Sequence, residues 1–305
     1  MECWLCLAGG NALGAFHVGA WTAIETSSLN VTRIAGASIG AVVAAIIAGN
    51  APADRAGMLT EFLHRIAQPS PLVGGRRMLV TATLMAGNPA LFSPSFPGLL
   101  EVLPFMPPDV SLFRRDRMRQ LLEQSIDFDI LNGGGMEVTL TALDAETGAI
   151  TRFRTGEQPL TVDHVMASTA LPGLFPPVTI AGRTFLDPGL CENLPLPSLL
   201  DREGDAAVIA LDLYPLAGRM TRTVNGIADR AQALAFAGQS ARIIELTRAT
   251  ERRFLHLVLD DPADNYALKA FDYSRASLDR RRQLGEDLTD AHLREWMKGQ
   301  GNASA

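Results

Sequence analysis

The chain reads as an α/β protein built on a central sheet with helices on both faces. Two observations predict this. Short apolar runs with the length of buried strands alternate with segments of helical periodicity. Glycine-rich turns join the first two strands to the helices that follow them. Composition agrees, since 47% of the 305 residues are hydrophobic and 20% charged, ordinary proportions for a protein with a sizeable core. That length admits one large α/β domain or two small ones.

Residues 2–7 are the first apolar run and predict a strand. After the turn "AGGNALG" (8–14), residues 14–27 predict a helix. A second strand over 31–36 runs into "GASIG" (36–40) and an apolar helix over 38–49. Pro52, placed as a helix opener, predicts an amphipathic helix over 52–67. Residues 69–110 differ, holding eight of the eighteen prolines together with Phe92, Phe96, Phe105, Met85 and Met106. Prolines argue against long regular elements there, yet the segment is too apolar for a solvated linker. It is either a lid-like insertion over a binding site or an irregular loop packed permanently on the core.

A charged helix over 114–125 leads to "MEVTLTALDAETGAITRFRT", a hairpin turning at Glu146-Thr147-Gly148. A helix over 161–169 precedes a second hairpin, "PPVTIAGRTFLDPG", turning at Ala181-Gly182. Residues 206–215 predict a buried strand, 222–250 a long helix, 253–260 the last strand, and a closing helix starts near 274. The part from about 222 is thus mostly helical, and the tail "GQGNASA" is expected to fray.

Several function classes are disfavoured. The net charge of −6 argues against nucleic acid as a partner, because phosphate contacts need a basic surface. The start lacks a basic segment, and glycines interrupt its apolar run, so it does not read as a signal peptide. The longest apolar run, "AVVAAIIAG" (41–49), is too short to span a bilayer. Cys3, Cys6 and Cys191 are an odd set that suits a reducing compartment, and a cytoplasmic location is expected. Cys3 and Cys6 spell C-x-x-C, but inside a strand they read as buried residues rather than a redox pair. Nothing has metal-ligand spacing, so no metal or cofactor is expected.

Ser38 stands in G-x-S-x-G between a strand and a helix, the context of a nucleophile elbow. Gly36 and Gly40 supply the space for a sharp turn, and the Ile39 amide lies at the positive end of the following helix, where it can face an oxyanion. "AGGNALG" also follows a strand and opens a helix, so its amides suit an anion; a turn without ligand is the alternative. It is not the dinucleotide pattern G-x-G-x-x-G. What would take the proton of Ser38 is not evident, for none of His17, His64, His164, His256 and His292 is obviously placed for it.

"LAGGNALGAFHVGAW", "GASIGA" and "ASTALPGLFPPVTIAGRTFLDPGLCENLP" resemble, in that order, the three blocks of the patatin-like phospholipases. Residues 5–50 and 135–200 match well, and 271–291 more loosely. The resemblance implies a three-layer α/β/α fold with a mainly parallel sheet, over one domain spanning 1–305. It also implies a Ser-Asp dyad without histidine: Ser38 as nucleophile, Asp187 of "DPG" as base, and Gly9, Gly10 and Asn11 as oxyanion loop. Lipid-like acyl esters are the implied substrates, without a cofactor, and peripheral contact with a lipid surface is compatible with that. The acidic net charge implies no strong attraction to anionic membranes.

Three positions depart from the family pattern. Asn11 replaces a glycine, Leu13 replaces a cation, and Pro188 replaces the glycine after the aspartate. Asn tolerates left-handed backbone, whereas Pro188 removes an N–H and pushes Asp187 towards an extended backbone that re-aims its carboxylate. Two rivals stand beside the dyad: a Ser-His-Asp esterase using His256, and a non-catalytic lipid- or protein-binding relative. Asp144 and Asp212, near strand ends, are outside candidates for a carboxylate at the site.

Overall fold

A computed structural model describes residues 1–70, 75–218, 220, 222–248, 253–264, 266 and 268–301. The strands are β1 (Glu2–Leu7), β2 (Asn30–Gly36), β3 (Ser93–Pro94), β4 (Phe113–Arg114), β5 (Glu137–Asp144), β6 (Ile150–Arg154), β7 (Val178–Ile180), β8 (Arg183–Leu186), β9 (Ala207–Asp212) and β10 (Phe254–Val258). The α-helices are α1 (Ala15–Glu25), α2 (Ile39–Ala48), α3 (Arg55–Ile66), α4 (Gly75–Ala86), α5 (Asp116–Ser125), α6 (Phe128–Asn132), α7 (Val162–Ser168), α8 (Leu196–Leu200), α9 (Val224–Arg248) and α10 (Arg275–Gly301).

The main sheet runs β10-β9-β1-β2-β5-β8-β7, with β6 also on β5. The five strands from β10 to β5 are parallel, and β6, β7 and β8 join by antiparallel pairing. Residues 3–7 of β1 and all of β9 are buried, which explains why they read as unbroken apolar runs: helices cover both faces of a parallel sheet. The chain leaves β1 for β2 on one side and returns to β9 on the other. The crevice beyond the carboxyl ends of β1 and β2 is therefore a topological switch point, where open α/β sheets bind ligands. The α/β class and both hairpins agree with the sequence reading.

α2 is apolar all round and buried from Gly40 to Ala48, as a helix enclosed by the core must be. α1 is covered by α10, and their backbones approach very closely. A Cβ added at Gly19 would lie 1.7 Å from the Arg282 carbonyl oxygen, and one at Gly285 would lie 2.1 Å from that of Phe16. At the same crossing Arg281 is fully buried. Its Nε meets Asp264 Oδ2 at 2.7 Å, and its Nη1 and Nη2 donate to the carbonyls of Asp272 and Lys269, both at 3.0 Å. Nη1 also reaches the Ala12 carbonyl, at 3.3 Å, from a residue 269 positions away.

Two local expectations need correction. Pro52 does not open α3: it occupies the second position of the turn Ala51–Asp54, closed by the Asp54 amide on Ala51, a place that proline favours. Prolines do not keep residues 69–110 irregular throughout, because α4 fills the proline-free stretch between Pro71 and Pro89. Residues 71–74 of that segment, 249–250 of the expected long helix and 302–305 of the tail lie outside the described residues. Among the described residues no helix is long and apolar enough to cross a membrane.

Candidate active site

β2 ends at Gly36 and α2 begins at Ile39, which leaves Ser38 to make the turn. Its backbone has φ 53° and ψ −122°, a region that side chains rarely occupy. The turn closes because two glycines let the backbone fold on itself. A Cβ at Gly36 would sit 2.3 Å from the Gly40 carbonyl oxygen, and one at Gly40 would sit 2.2 Å from that of Leu7. The Ser38 amide is held by Ser168 Oγ at 3.0 Å, so α7 braces the elbow from the side. Such strain costs of order 1–3 kcal/mol. Ser38→Gly is accordingly expected to stabilise the fold by about 1 kcal/mol relative to Ser38→Ala, measured by urea denaturation.

Asp187 follows β8 and is 4% exposed. Its amide donates to the Ala170 carbonyl at 2.9 Å, and its Oδ1 accepts the Gly189 amide at 2.9 Å. Burial pushes the carboxyl up to about 6; the nearby Ser38 hydroxyl, the Gly189 amide and the charge of Arg115 oppose that rise. The carboxylate thus has the Ser38 hydroxyl close by. Pro188 sits first in a short 3-10 turn, Pro188–Leu190, where a missing N–H removes no internal bond. Asp187 does adopt the extended backbone expected before proline (φ −58°, ψ 128°), and Gly189 supplies the donor.

The loop after β1 runs against Ser38: a Cβ added at Gly9 would lie 3.0 Å from that of Ser38. Asn11 has φ 51°, the left-handed conformation that asparagine tolerates, and opens a 3-10 turn over Asn11–Gly14. Leu13 is fully buried in the core, so this position brings no charge to the site. Gly9 differs from expectation, because its amide is already committed to the Asn193 carbonyl at 3.0 Å and has no free N–H for an anion. Asn193 returns the contact, its Nδ2 donating to the Gly9 carbonyl at 3.2 Å. The amides of Gly10, Asn11 and Ile39 have no hydrogen-bond partner among the described residues. Asn11, Ser38 and Ile39 share one cavity with Phe62, Leu91 and Phe92. Its volume is about 30 Å³, room for a water or two and far below the 300 Å³ or more of an ordinary ligand pocket.

Sequence reasoning missed three residues here. Ser168 and Asn193 lie inside the third block, in "AST" and "ENLP", but nothing in those strings told which backbone each would meet. Arg115 had no local signal at all, standing in a charged segment. It is 3% exposed and binds the carbonyls of Thr169, Met166 and Pro176 at 2.9, 3.1 and 3.2 Å, fastening the loop that holds Asp187 through Ala170. Burial brings its guanidinium down to about 10, still charged at neutral pH.

The histidines take other places. His17 Nε2 donates to the Ala8 carbonyl at 2.9 Å, and burial lowers the ring to about 4, which keeps it neutral. His256 lies in the middle of β10, three strands from β2 and roughly 14 Å away at ordinary strand spacing. Its near neighbour is Asp212, at 3.6 Å, not Ser38. His64 is exposed on α3, His164 caps α7 with Thr161, and His292 binds the Leu288 carbonyl within α10. Asp144 is a turn residue, bound by Arg183 and the amides of Glu146 and Thr147, while Asp212 accepts the Leu213 and Tyr214 amides. Among the described residues no group of three or more His, Cys, Asp or Glu side chains is arranged to hold a metal.

Fold and site together define an α/β protein that presents a serine on a strand–turn–helix elbow at the switch point of its sheet. The chain belongs to the patatin-like phospholipase family, whose sequence profile its residues 5–200 match. Uncharacterized NTE family proteins of Mycobacterium tuberculosis and Mycobacterium bovis are each 24% identical over 204 residues, covering 67% of this chain and 47% of theirs. The chain therefore spans about half the length of the curated relatives it matches. Among solved structures, VipD from Legionella pneumophila is 16% identical over 92% of this chain and 67% of its own, with a TM-score of 0.40. ExoU in the ExoU-SpcU complex of Pseudomonas aeruginosa is 16% identical over 98% of this chain and 52% of its own, with a TM-score of 0.42.

Proposed function

We propose that the protein is a serine acyl-ester hydrolase of lipid-like substrates that works through a Ser38–Asp187 dyad. The observation that carries the reading is the buried Asp187 carboxyl close to the Ser38 hydroxyl, raised to about 6. An ordinary aspartate, at about 3.9, is a poor base for a hydroxyl, and this one is moved towards the working pH. Ser38 Oγ attacks the ester carbonyl carbon while Asp187 takes its proton. The developing oxyanion is received by the Gly10 and Asn11 amides of the loop after β1 and by the Ile39 amide at the N-terminus of α2. Collapse expels the alcohol, which takes the proton from Asp187 and leaves an acyl-Ser38 ester. Water, deprotonated by Asp187, then releases the acid and restores Ser38.

Family membership and the apolar lining of the cavity support a lipid-like acyl group. At about 30 Å³ the cavity does not hold one, so in this reading Leu91 and Phe92 move to admit it. Labelling with a fluorophosphonate probe and hydrolysis of an ester panel test the proposal. Wild type is expected to label at Ser38 and turn over, Ser38→Ala to do neither, and Asp187→Asn to lose nearly all turnover. A folded wild-type protein without Ser38-dependent label sinks it.

A further inference from the structure

We propose that residues 95–110 form a flap whose tip inserts into the hydrocarbon of a lipid surface; the proposal rests on the reading of the site as a lipid-ester hydrolase. The tip is "VLPFMPP" (102–108), which carries no ionisable side chain. Val102 is 76% and Phe105 104% exposed, and Phe96, Leu99 and Leu103 are exposed beside them. Phe105 has φ 73°, so a bulky residue sits in left-handed backbone with its ring wholly in solvent.

The two acids of the flap stand at the base of the tip and are tied to it. The Asp109 amide donates to Glu101 Oε2 at 2.7 Å, which closes the loop between them. Asp109 Oδ2 accepts Ser95 Oγ at 2.6 Å and the Gly98 amide at 3.0 Å, and Oδ1 accepts the Val110 amide at 2.8 Å. Beyond that base the chain is short of free donors. Pro104, Pro107 and Pro108 have no N–H, the Leu103 amide binds the Leu100 carbonyl at 2.9 Å, and the Met106 amide binds that of Leu103 at 3.3 Å.

This pattern decides between occupants. A protein partner is met through a polar rim with a hydrogen bond every 100–200 Å² or so, and this tip offers little to such a partner. Hydrocarbon asks the reverse, that backbone donors be absent or internally paired. Nearby α4, which packs on β3, exposes Met78, Met85 and Arg77 and contains no acidic residue. Leu91 and Phe92, just before the flap, form part of the wall of the Ser38 cavity. There the Phe92 ring packs on Phe113 at 5.0 Å and Phe175 at 5.2 Å, so insertion of the tip brings the lipid surface to that wall.

Flotation with dioleoylphosphatidylcholine vesicles tests the proposal, using Ser38→Ala protein so that no lipid is consumed. The Ser38→Ala protein is expected to float, and addition of Val102→Asp and Phe105→Asp to reduce its partitioning at least tenfold. In the wild-type background the same two aspartates are expected to leave melting temperature and turnover of a soluble short-chain ester unchanged. Equal flotation of the aspartate variant, or no flotation of Ser38→Ala, overturns the proposal. So does a dimer on gel filtration that the aspartates dissolve without any flotation, which assigns the tip to a second copy of this chain. Flotation without turnover of any ester keeps the flap and removes the hydrolase reading, while turnover of the soluble ester without flotation does the opposite.

Discussion

Asp187→Asn is expected to lower kcat/KM by roughly a thousandfold while making the protein more stable at neutral pH. Both effects follow from the same burial. With the folded carboxyl at about 6 and the unfolded one at about 3.9, the folded state keeps its proton over a range in which the unfolded chain has released it. The unfolded chain then binds fewer protons, so stability falls as pH rises from about 4 to about 6. Above that window the cost is about 3 kcal/mol, and asparagine, which keeps an oxygen for the Gly189 amide, avoids it. Urea denaturation at pH 4 and pH 8 should show the variant equal to wild type at the lower pH and more stable at the higher. For wild type, kcat/KM should rise about tenfold per pH unit below 6 and level off above it, because the active base is the deprotonated form. An unchanged acid limb in a variant that retains activity at this position rules Asp187 out as the base.

Arg281→Met should destabilise the fold by about 3–5 kcal/mol, the usual cost of breaking a buried ion pair. The substitution preserves much of the apolar volume but abandons the carbonyls of Ala12, Asp272 and Lys269 along with the contact to Asp264. Arg280 Nη2, 2.8 Å from Asp264 Oδ1, and Arg76 remain to hold that carboxylate, which keeps the cost from running higher. The loop carrying the Gly10 and Asn11 amides loses its anchor, so kcat is expected to fall about tenfold even where the variant is folded. A denaturation midpoint unchanged from wild type contradicts the assignment of Arg281 as the clamp on this loop.

The parts of this molecule legible in its sequence are those whose signal is local. The apolar runs of β1 and β9, the turns at Gly148 and Gly182, and the strand–turn–helix around Ser38 each announce themselves within a dozen residues. Asp187 is singled out as a candidate only by the order of three blocks, since D-P-G alone is ordinary turn chemistry. What escaped is long-range. No string around Arg115 says that it will bind carbonyls some fifty residues away, and nothing in "AGG" says that the Gly9 amide will be spent on Asn193. α4 is hidden for another reason: the prolines of residues 69–110 all lie outside 75–86, so the density of the segment says nothing about that stretch.

The contact between Arg281 and Ala12 has a consequence for the order in which the protein is made. A nascent chain carries Ser38 and the glycine loop well before the side chain that fastens the loop, which follows Ala12 by 269 residues. During translation the serine elbow emerges long before the glycine loop beside it is pinned. The fastening contact therefore forms only once α10 has been made and docks on α1.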